Sequence, residues 1–318
     1  MSTHRRLAAV LAVGAFLISA CTGEPAAGPT PSPSASSSSP SPSPRPVVAR
    51  FDAGRALAHD RVLAVTIGSR EAASPAYVRA SRYVGSVFAS FGYGVTQQRV
   101  PVPSGKSQGV PVNAGFTRNV IAVPPGFDPL APHLVVGAHL DTVTPSPGGN
   151  DNGSGVAVML ELARLASIGR TAMPVVWIAF GGEERRRPGM SGATYGSRYY
   201  LARLSAAEKK AIHGMIAIDM VGNGPRALIC HERITGDEII DALLASARKL
   251  KLPAAERIVL GTFSDHAPFE RAGYTVGWLW SGEHATLHTP RDTFAIVQRS
   301  SLDRIGRITW DTLATLRL

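Results

Sequence analysis

His133-Leu134-Val135-Val136-Gly137-Ala138-His139-Leu140-Asp141 is the stretch on which the reading of the fold turns. From His133 to Ala138 it is almost wholly apolar, as a strand covered on both faces must be. It ends in a histidine and an aspartate, so chemistry-bearing side chains begin where the apolar run stops. The same pattern returns along the chain. Val175 to Phe180 and Met215 to Ile218 read as further buried strands, and Ala227-Leu228-Ile229-Cys230 and Tyr274 to Leu279 as later ones. Between them lie helical periodicities. Gly153 to Ala166 has Val156, Leu160 and Ala163 on one side, and Ala193 to Leu204 is helical. Thr235 to Leu250 carries an apolar stripe of Ile239, Ile240, Leu243, Leu244, Ala247 and Leu250. On the N-terminal side, Phe51 to Ile67 and Pro75 to Phe91 read as helices, Val95 to Val102 and Asn119 to Val123 as strands. Leu302 to Leu316 is a closing helix. Strands alternating with helices predict an α/β fold, a three-layer α/β/α sandwich around a mostly parallel mixed sheet. In such sheets ligands bind beyond the carboxyl ends of the strands.

Candidate chemistry falls at those ends. His139-Leu140-Asp141 follows the first strand, Gly181-Gly182-Glu183-Glu184 the second and Asp219 the third, and a late loop carries His288. Gly149-Asn150-Asp151-Asn152-Gly153 opens a helix between the first two. Zinc takes imidazole nitrogen and carboxylate oxygen, and a catalytic site leaves a position open for water. Two histidines and three carboxylates suffice for two ions sharing one carboxylate, an arrangement that can bind the attacking oxygen and polarise a carbonyl together. Glu183 and Glu184 are adjacent, so one can bind metal while the other acts as general base. Asp141 can point back at the His139 ring and orient it. Each residue alone has an ordinary structural reading; the shared position beyond strand ends is what joins them.

The chain has 318 residues, 44% hydrophobic and 18% charged, which permits a sizeable core and excludes wholesale disorder. The net charge of +10 raises the question of anionic partners. No Lys/Arg block with interleaved aromatics appears, so nucleic acid is not expected as a partner. The densest basic run, Arg185-Arg186-Arg187, reads as solvent-facing, with a role at the pocket rim as the alternative. Two cysteines make no disulfide framework, and Cys230 reads as an inert core thiol.

The beginning of the chain reads as an export signal. Arg5 and Arg6 precede an apolar stretch from Leu7 to Ile18, and Ile18-Ser19-Ala20-Cys21 resembles a bacterial lipoprotein cleavage box. Residues 1–20 are then a lipoprotein signal peptide, and Cys21 is the lipidated N-terminus that anchors the protein outside the cytoplasm. Residues 22–46 are nearly all Pro, Ser, Ala, Gly and Thr, too poor in apolar side chains to pack. Extended at roughly 3 Å per residue, they make a spacer of about 75 Å. The globular domain is expected over 47–318.

The segments Ala138-His139-Leu140-Asp141-Thr142, Gly149-Asn150-Asp151-Asn152-Gly153-Ser154-Gly155, Phe180-Gly181-Gly182-Glu183-Glu184, Asp219-Met220-Val221-Gly222 and His288-Thr289-Pro290-Arg291-Asp292-Thr293 together resemble the secreted co-catalytic zinc aminopeptidases. Glutamate carboxypeptidase and the glutaminyl cyclases are related to that family. The resemblance runs from about Phe51 to Leu318. It implies an eight-stranded mixed sheet between helices and two Zn2+ per chain. It further implies that His139 and Asp219 bind one ion, Glu184 and His288 the other, and Asp151 both. Glu183 would be the general base, taking a proton from metal-bound water and returning it to the leaving amine, and Asp141 would orient His139. A cis peptide at Asp151-Asn152 is also implied. Ser264-Asp265-His266-Ala267-Pro268-Phe269 resembles a pocket-lining segment, which makes His266 a candidate substrate contact. Leu287 stands where some family members have a tyrosine that supports the oxyanion. The expected activity is removal of N-terminal residues from peptides. Cyclase-like or carboxypeptidase-like chemistry on the same scaffold, a cell-wall hydrolase and a non-catalytic surface module are the alternatives. Oligomeric state is not legible.

Overall fold

The computed structural model describes residues 50–261, 264–282 and 284–318, together with Gly28. The signal segment, Cys21 and, Gly28 apart, the Pro/Ser-rich stretch to residue 46 lie outside the described residues. Among the described residues, no helix is long and apolar enough to cross a membrane.

The centre is an eight-stranded mixed sheet. Its strands are β1 (Gly94–Val102), β4 (Gly115–Val123), β5 (His133–His139), β6 (Val175–Phe180), β7 (Ile212–Ile218), β8 (Ala227–His231), β9 (Ala254–Ile258) and β10 (Val276–Trp280). They lie in the order β1-β4-β6-β5-β7-β10-β8-β9. The four central strands β6, β5, β7 and β10 are mutually parallel, while β4 and β8 flank them antiparallel. A separate hairpin, β2 (Gly105–Ser107) with β3 (Val110–Val112), interrupts the run from β1 to β4.

Strand pleating explains why the central runs are apolar throughout. In β6, Val175, Trp177 and Ala179 enter one core, and Val176, Ile178 and Phe180 enter the other. The first core is closed by α1 (Ala53–Arg61), α2 (Pro75–Ser90), α3 (Gly155–Ile168), α6 (Glu238–Leu250) and α8 (Arg299–Thr315). The second is closed by α4 (Tyr195–Arg203) and α7 (His266–Arg271), through Tyr200, Leu201 and Phe269. The fold is therefore the expected three-layer sandwich.

Element ends follow local chemistry. Ser74 caps α2 by accepting the Tyr77 N–H, and Pro75 occupies the first turn, where its missing donor costs nothing. The predicted helix from Phe51 to Ile67 is α1 continued as a wider turn through Val62–Ile67. The helix expected from Thr235 starts at Glu238. A short helix α5 (Ala206–Ala211) has a Ser205/Glu208 capping box, a sequence signal that the periodicity reading passed over. Asp151-Asn152 is cis, as the resemblance implied.

The loop Gly149–Ser154 and the end of β7 are laced together. Asn152 Oδ1 accepts the N–H groups of Gly155 and Met220, and its Nδ2 donates to the Ile218 carbonyl. Asn150 Oδ1 accepts the Gly222 N–H, and Ser154 Oγ the Val221 N–H. Gly155 is required by closeness: a Cβ there would lie 2.2 Å from the Ile218 carbonyl oxygen. This network brings Asp151 beside Asp219.

Candidate metal centre

The parallel strands end on one side of the sheet, and the candidate residues converge there. His139 closes β5, Glu183 and Glu184 follow β6, and Asp219 follows β7. Asp151 comes from the loop before α3 and His288 from the loop after β10. Five of these side chains make one cluster. His139 Nε2 lies 3.2 Å from Asp151 Oδ1 and 3.2 Å from Asp219 Oδ1. His288 Nε2 lies 3.1 Å from Asp151 Oδ2 and 3.2 Å from Glu184 Oε2. The two oxygens of Asp151 thus face two different imidazoles. His139, Asp151 and Glu184 also present ligand atoms within 4.8 Å of one another.

This donor set suits cations. Each imidazole Nε2 meets only carboxylate oxygens, and Glu184 Oε1 is buried without a hydrogen-bond partner. Burying that many carboxylates without compensating positive charge is costly. Among the protein groups alone, the strain shows as displaced protons. Burial pushes Glu183 well above the ordinary carboxylate range, and Glu184 and Asp219 push it further against the pull of His139. Burial and Asp151 raise Glu184 to about 7, against His288. Burial opposes charge on both histidines. Asp219 and Asp151 nevertheless lift His139 well above the imidazole range, and Glu184 and Asp151 lift His288 to about 11. Imidazole nitrogen with carboxylate oxygen is the borderline-hard set that zinc accepts.

The surrounding shell is built from main chain. Asp141 is fully buried, and its carboxylate accepts the N–H groups of Gly182, Glu183 and Glu184 at 2.9, 3.1 and 3.2 Å. Asp292 accepts the N–H groups of Asn150 and Asp151 at 2.8 and 3.0 Å, a support the sequence reading left without a role. Ser264 Oγ donates to Asp219 Oδ2 at 2.7 Å.

Three expectations change. The His139 ring is held at Nδ1 by the Asp141 carbonyl oxygen, 3.1 Å away, rather than by the Asp141 carboxylate, which is 3.9 Å away. His266 is fully buried behind Trp278, stacked at 4.9 Å and 10°, and does not line the cleft. The arginine run is not uniformly solvent-facing. Arg185 lines the cleft and Arg187 is exposed, but Arg186 is buried and pairs with Glu71 at 2.7 Å. Cys230 is a core thiol as expected, with burial pushing it up to about 12.

The cluster floors a cleft of about 350 Å³ whose wall includes Val259, Trp278, Trp280 and Leu287. A larger groove of about 810 Å³, between α4, α5 and α7, contains none of the clustered acids or imidazoles. Acid and imidazole convergence, not volume, marks the first as the site.

A mixed α/β sandwich with imidazole and carboxylate donors beyond its parallel strand ends defines a scaffold of the metal-dependent hydrolase class. The model of peptidase family M28 matches residues 119–313, and the chain belongs to that family. Leupeptin-inactivating enzyme 1 of Streptomyces exfoliatus is 38% identical over 169 residues, 53% of this chain and 36% of that protein. The probable lipoprotein aminopeptidase LpqL of Mycobacterium tuberculosis is 30% identical over 163 residues, 47% of this chain and 31% of that one. The matches thus span about a third of these relatives' length. BSAP, a zinc aminopeptidase from Bacillus subtilis, superposes with a TM-score of 0.73 at 19% identity, covering 83% of this chain and 95% of that one. At that identity the likeness establishes the fold.

Proposed function

We propose that this chain is a zinc-dependent aminopeptidase that removes N-terminal residues from peptides. The observation that carries the reading is the placement of Asp151, whose two carboxylate oxygens face Nε2 of His139 and Nε2 of His288 separately. A carboxylate in that position would serve two cation sites. His139 and Asp219 would complete the donors of one, and Glu184 and His288 those of the other. The bound ions would supply Lewis acidity, polarising the scissile carbonyl and acidifying water.

The remaining steps belong to the protein. Glu183 is buried at the cleft and is not one of the five side chains that make these close pairs. It is free to take a proton from the attacking water and return it to the leaving amine. Its N–H, with those of Gly182 and Glu184, is fixed on Asp141, so base and metal-binding acid move as one segment. The apolar wall of Val259, Trp278, Trp280 and Leu287 suits an apolar N-terminal side chain. With Leu287 in place of a phenol, no oxyanion donor comes from that position.

Aminoacyl-anilides, N-blocked peptides and N-terminal glutaminyl peptides, assayed with and without chelator, test the reading. Free N-termini should be cleaved, activity should vanish with chelator and return with zinc, and two equivalents should bind per chain. Cleavage of blocked peptides alone would overturn the aminopeptidase reading. Cyclisation of glutaminyl peptides with one equivalent of zinc would replace it with a cyclase.

We further propose that Cys21 carries the lipid that holds the enzyme on the outer face of the membrane. The sequence box before it supports this, and Cys21→Ser should release the protein to the medium. Retention of the Ser variant in the membrane fraction would count against it.

A further inference from the structure

The two histidines of the centre are supported very differently. The His139 side chain is 2% exposed and sits at the end of a central strand, with Nδ1 on the Asp141 carbonyl. The His288 side chain is 32% exposed and sits on a loop, at a φ of +58°. Burial does not hold that ring. Its Nδ1 instead meets Nε2 of Gln108, 2.5 Å away, at the tip of the β2–β3 hairpin.

The hairpin is built to put Gln108 there. Ser107 pairs with Val110, so Gln108 and Gly109 form a two-residue turn, with φ of +47° and +81°. Positive φ at both central residues is the I′ pattern, for which Asn or Asp followed by Gly is favoured. Glutamine is a poorer choice for the turn itself. It offers the same amide on a side chain one methylene longer, which is what reaching across to His288 requires.

The hairpin is anchored by the segment that carries Glu183 and Glu184. Arg186 donates from Nη1 to the Pro103 carbonyl and from Nη2 to the Asn113 carbonyl, gripping both ends of the hairpin, and its own carbonyl accepts the Lys106 N–H. Arg187 Nε donates to the Ser104 carbonyl, and the Thr144 N–H donates to Ser107 Oγ. The contact is close enough that a Cβ on Gly105 would lie 1.9 Å from the Arg186 carbonyl oxygen. Glu71 neutralises the buried guanidinium, without which burial would be costly.

We propose that Gln108 is a positioning residue of the metal centre, fixing the His288 ring through Nδ1 so that Nε2 faces the metal. This rests on His288 being a metal ligand. An imidazole that binds metal through Nε2 carries its proton on Nδ1 and donates it. The Gln108 amide then presents its oxygen, reached by a half-turn of the planar group that leaves its reach unchanged. The arginine run is thereby part of the site's support, acting through the hairpin.

Zinc affinity measured by chelator competition, with zinc alone as ligand, tests this on Gln108→Leu, Gln108→Asn and Gln108→Glu. The exposed turn position keeps all three foldable, and the Asn variant suits the turn better than the native residue. Leu and Asn should weaken one of the two equivalents by roughly 10–100-fold, the usual effect of losing an outer hydrogen bond to a ligand. Glu, with the native reach and a stronger acceptor, should restore the affinity. The Tm of the metal-free protein should not fall. Unchanged affinity of both equivalents in Gln108→Leu overturns the proposal, as does weakening of both together with a lower metal-free Tm. His288→Ala is the control on the underlying reading: if it binds both equivalents as the native chain does, His288 is not a ligand and the failure lies there.

Discussion

The Asp141 carboxylate lies 3.9 Å from Nδ1 of His139, whereas the Asp141 carbonyl oxygen lies 3.1 Å from the same nitrogen. The carboxylate is engaged elsewhere, accepting the N–H groups of Gly182, Glu183 and Glu184. Side chain and main chain of one residue therefore support different parts of the site. Asp141→Asn should leave the His139 ring in place, since the carbonyl remains. It should disturb the Glu183–Glu184 segment, because an amide offers one acceptor oxygen and an NH2 that cannot accept. The expected result is a fall in kcat per loaded site on the order of 10–100-fold. An unchanged kcat per loaded site would show that the carboxylate does not position Glu183.

Glu183 can be separated from the metal-binding acids by the same pair of measurements. Glu183→Gln keeps the shape but removes the proton acceptor. If Glu183 is the base, kcat should fall by roughly 10²–10⁴-fold, the usual contribution of a positioned acid–base group. Zinc content should stay at the native level. Glu184→Gln should instead lower zinc affinity. Full activity in the Glu183 variant would remove the proposed mechanism.

The strands of the central sheet were legible because burial on both faces leaves only apolar residues between the chemical ones. Trp177 and Ile178 face opposite cores, so nothing polar interrupts β6. The five clustered residues were legible because strand ends are where such sheets place ligands. What escaped the reading depends on partners distant in sequence. Gly105–Ser107 and Val110–Val112 are too short to announce a hairpin, and Pro111 argues against a strand. Arg186 reads as one of three surface arginines until Glu71 meets it. His266 looks like a pocket residue by motif, yet its flat stack on Trp278 buries it. Spacing placed Asp141 near His139, but spacing does not distinguish a side-chain contact from a main-chain one.

Arg70 is a second buried cation with a structural task. It is fully buried and donates from Nε to the Leu140 carbonyl at 2.7 Å, from Nη1 to Pro147 at 2.8 Å and from Nη2 to Gly148 at 3.0 Å. Its own N–H donates to Thr142 Oγ1. One planar fork thus ties the end of β5 to the loop that leads into Asp151. Lysine keeps the charge but cannot reach three carbonyls in that fixed geometry. Arg70→Lys should destabilise the fold by about 2–4 kcal/mol through buried carbonyls left without donors. The urea midpoint of the metal-free protein reads this directly. A midpoint equal to the native one would mean that water or a shifted loop satisfies those carbonyls.

His59 supplies a pH dependence away from the metal centre. It sits on α1 with Nδ1 2.7 Å from the Tyr83 hydroxyl of α2. Burial, with help from Arg55, lowers its pKa from 6.5 to about 4. The folded chain therefore holds His59 neutral where the unfolded chain protonates it. Between pH 6.5 and about 4 the unfolded state binds more protons, so lowering the pH favours unfolding. The contribution is fully present above pH 6.5 and is lost as pH falls toward 4. His59→Gln keeps a polar group beside Tyr83 but cannot titrate. Compared by urea denaturation at about pH 7.5 and about pH 5, the native chain should lose on the order of 1–2 kcal/mol more than the variant. Other titrating groups are common to both chains and cancel in the difference. Equal losses in the two chains would mean that His59 takes up its proton as readily in the folded state as in the unfolded one.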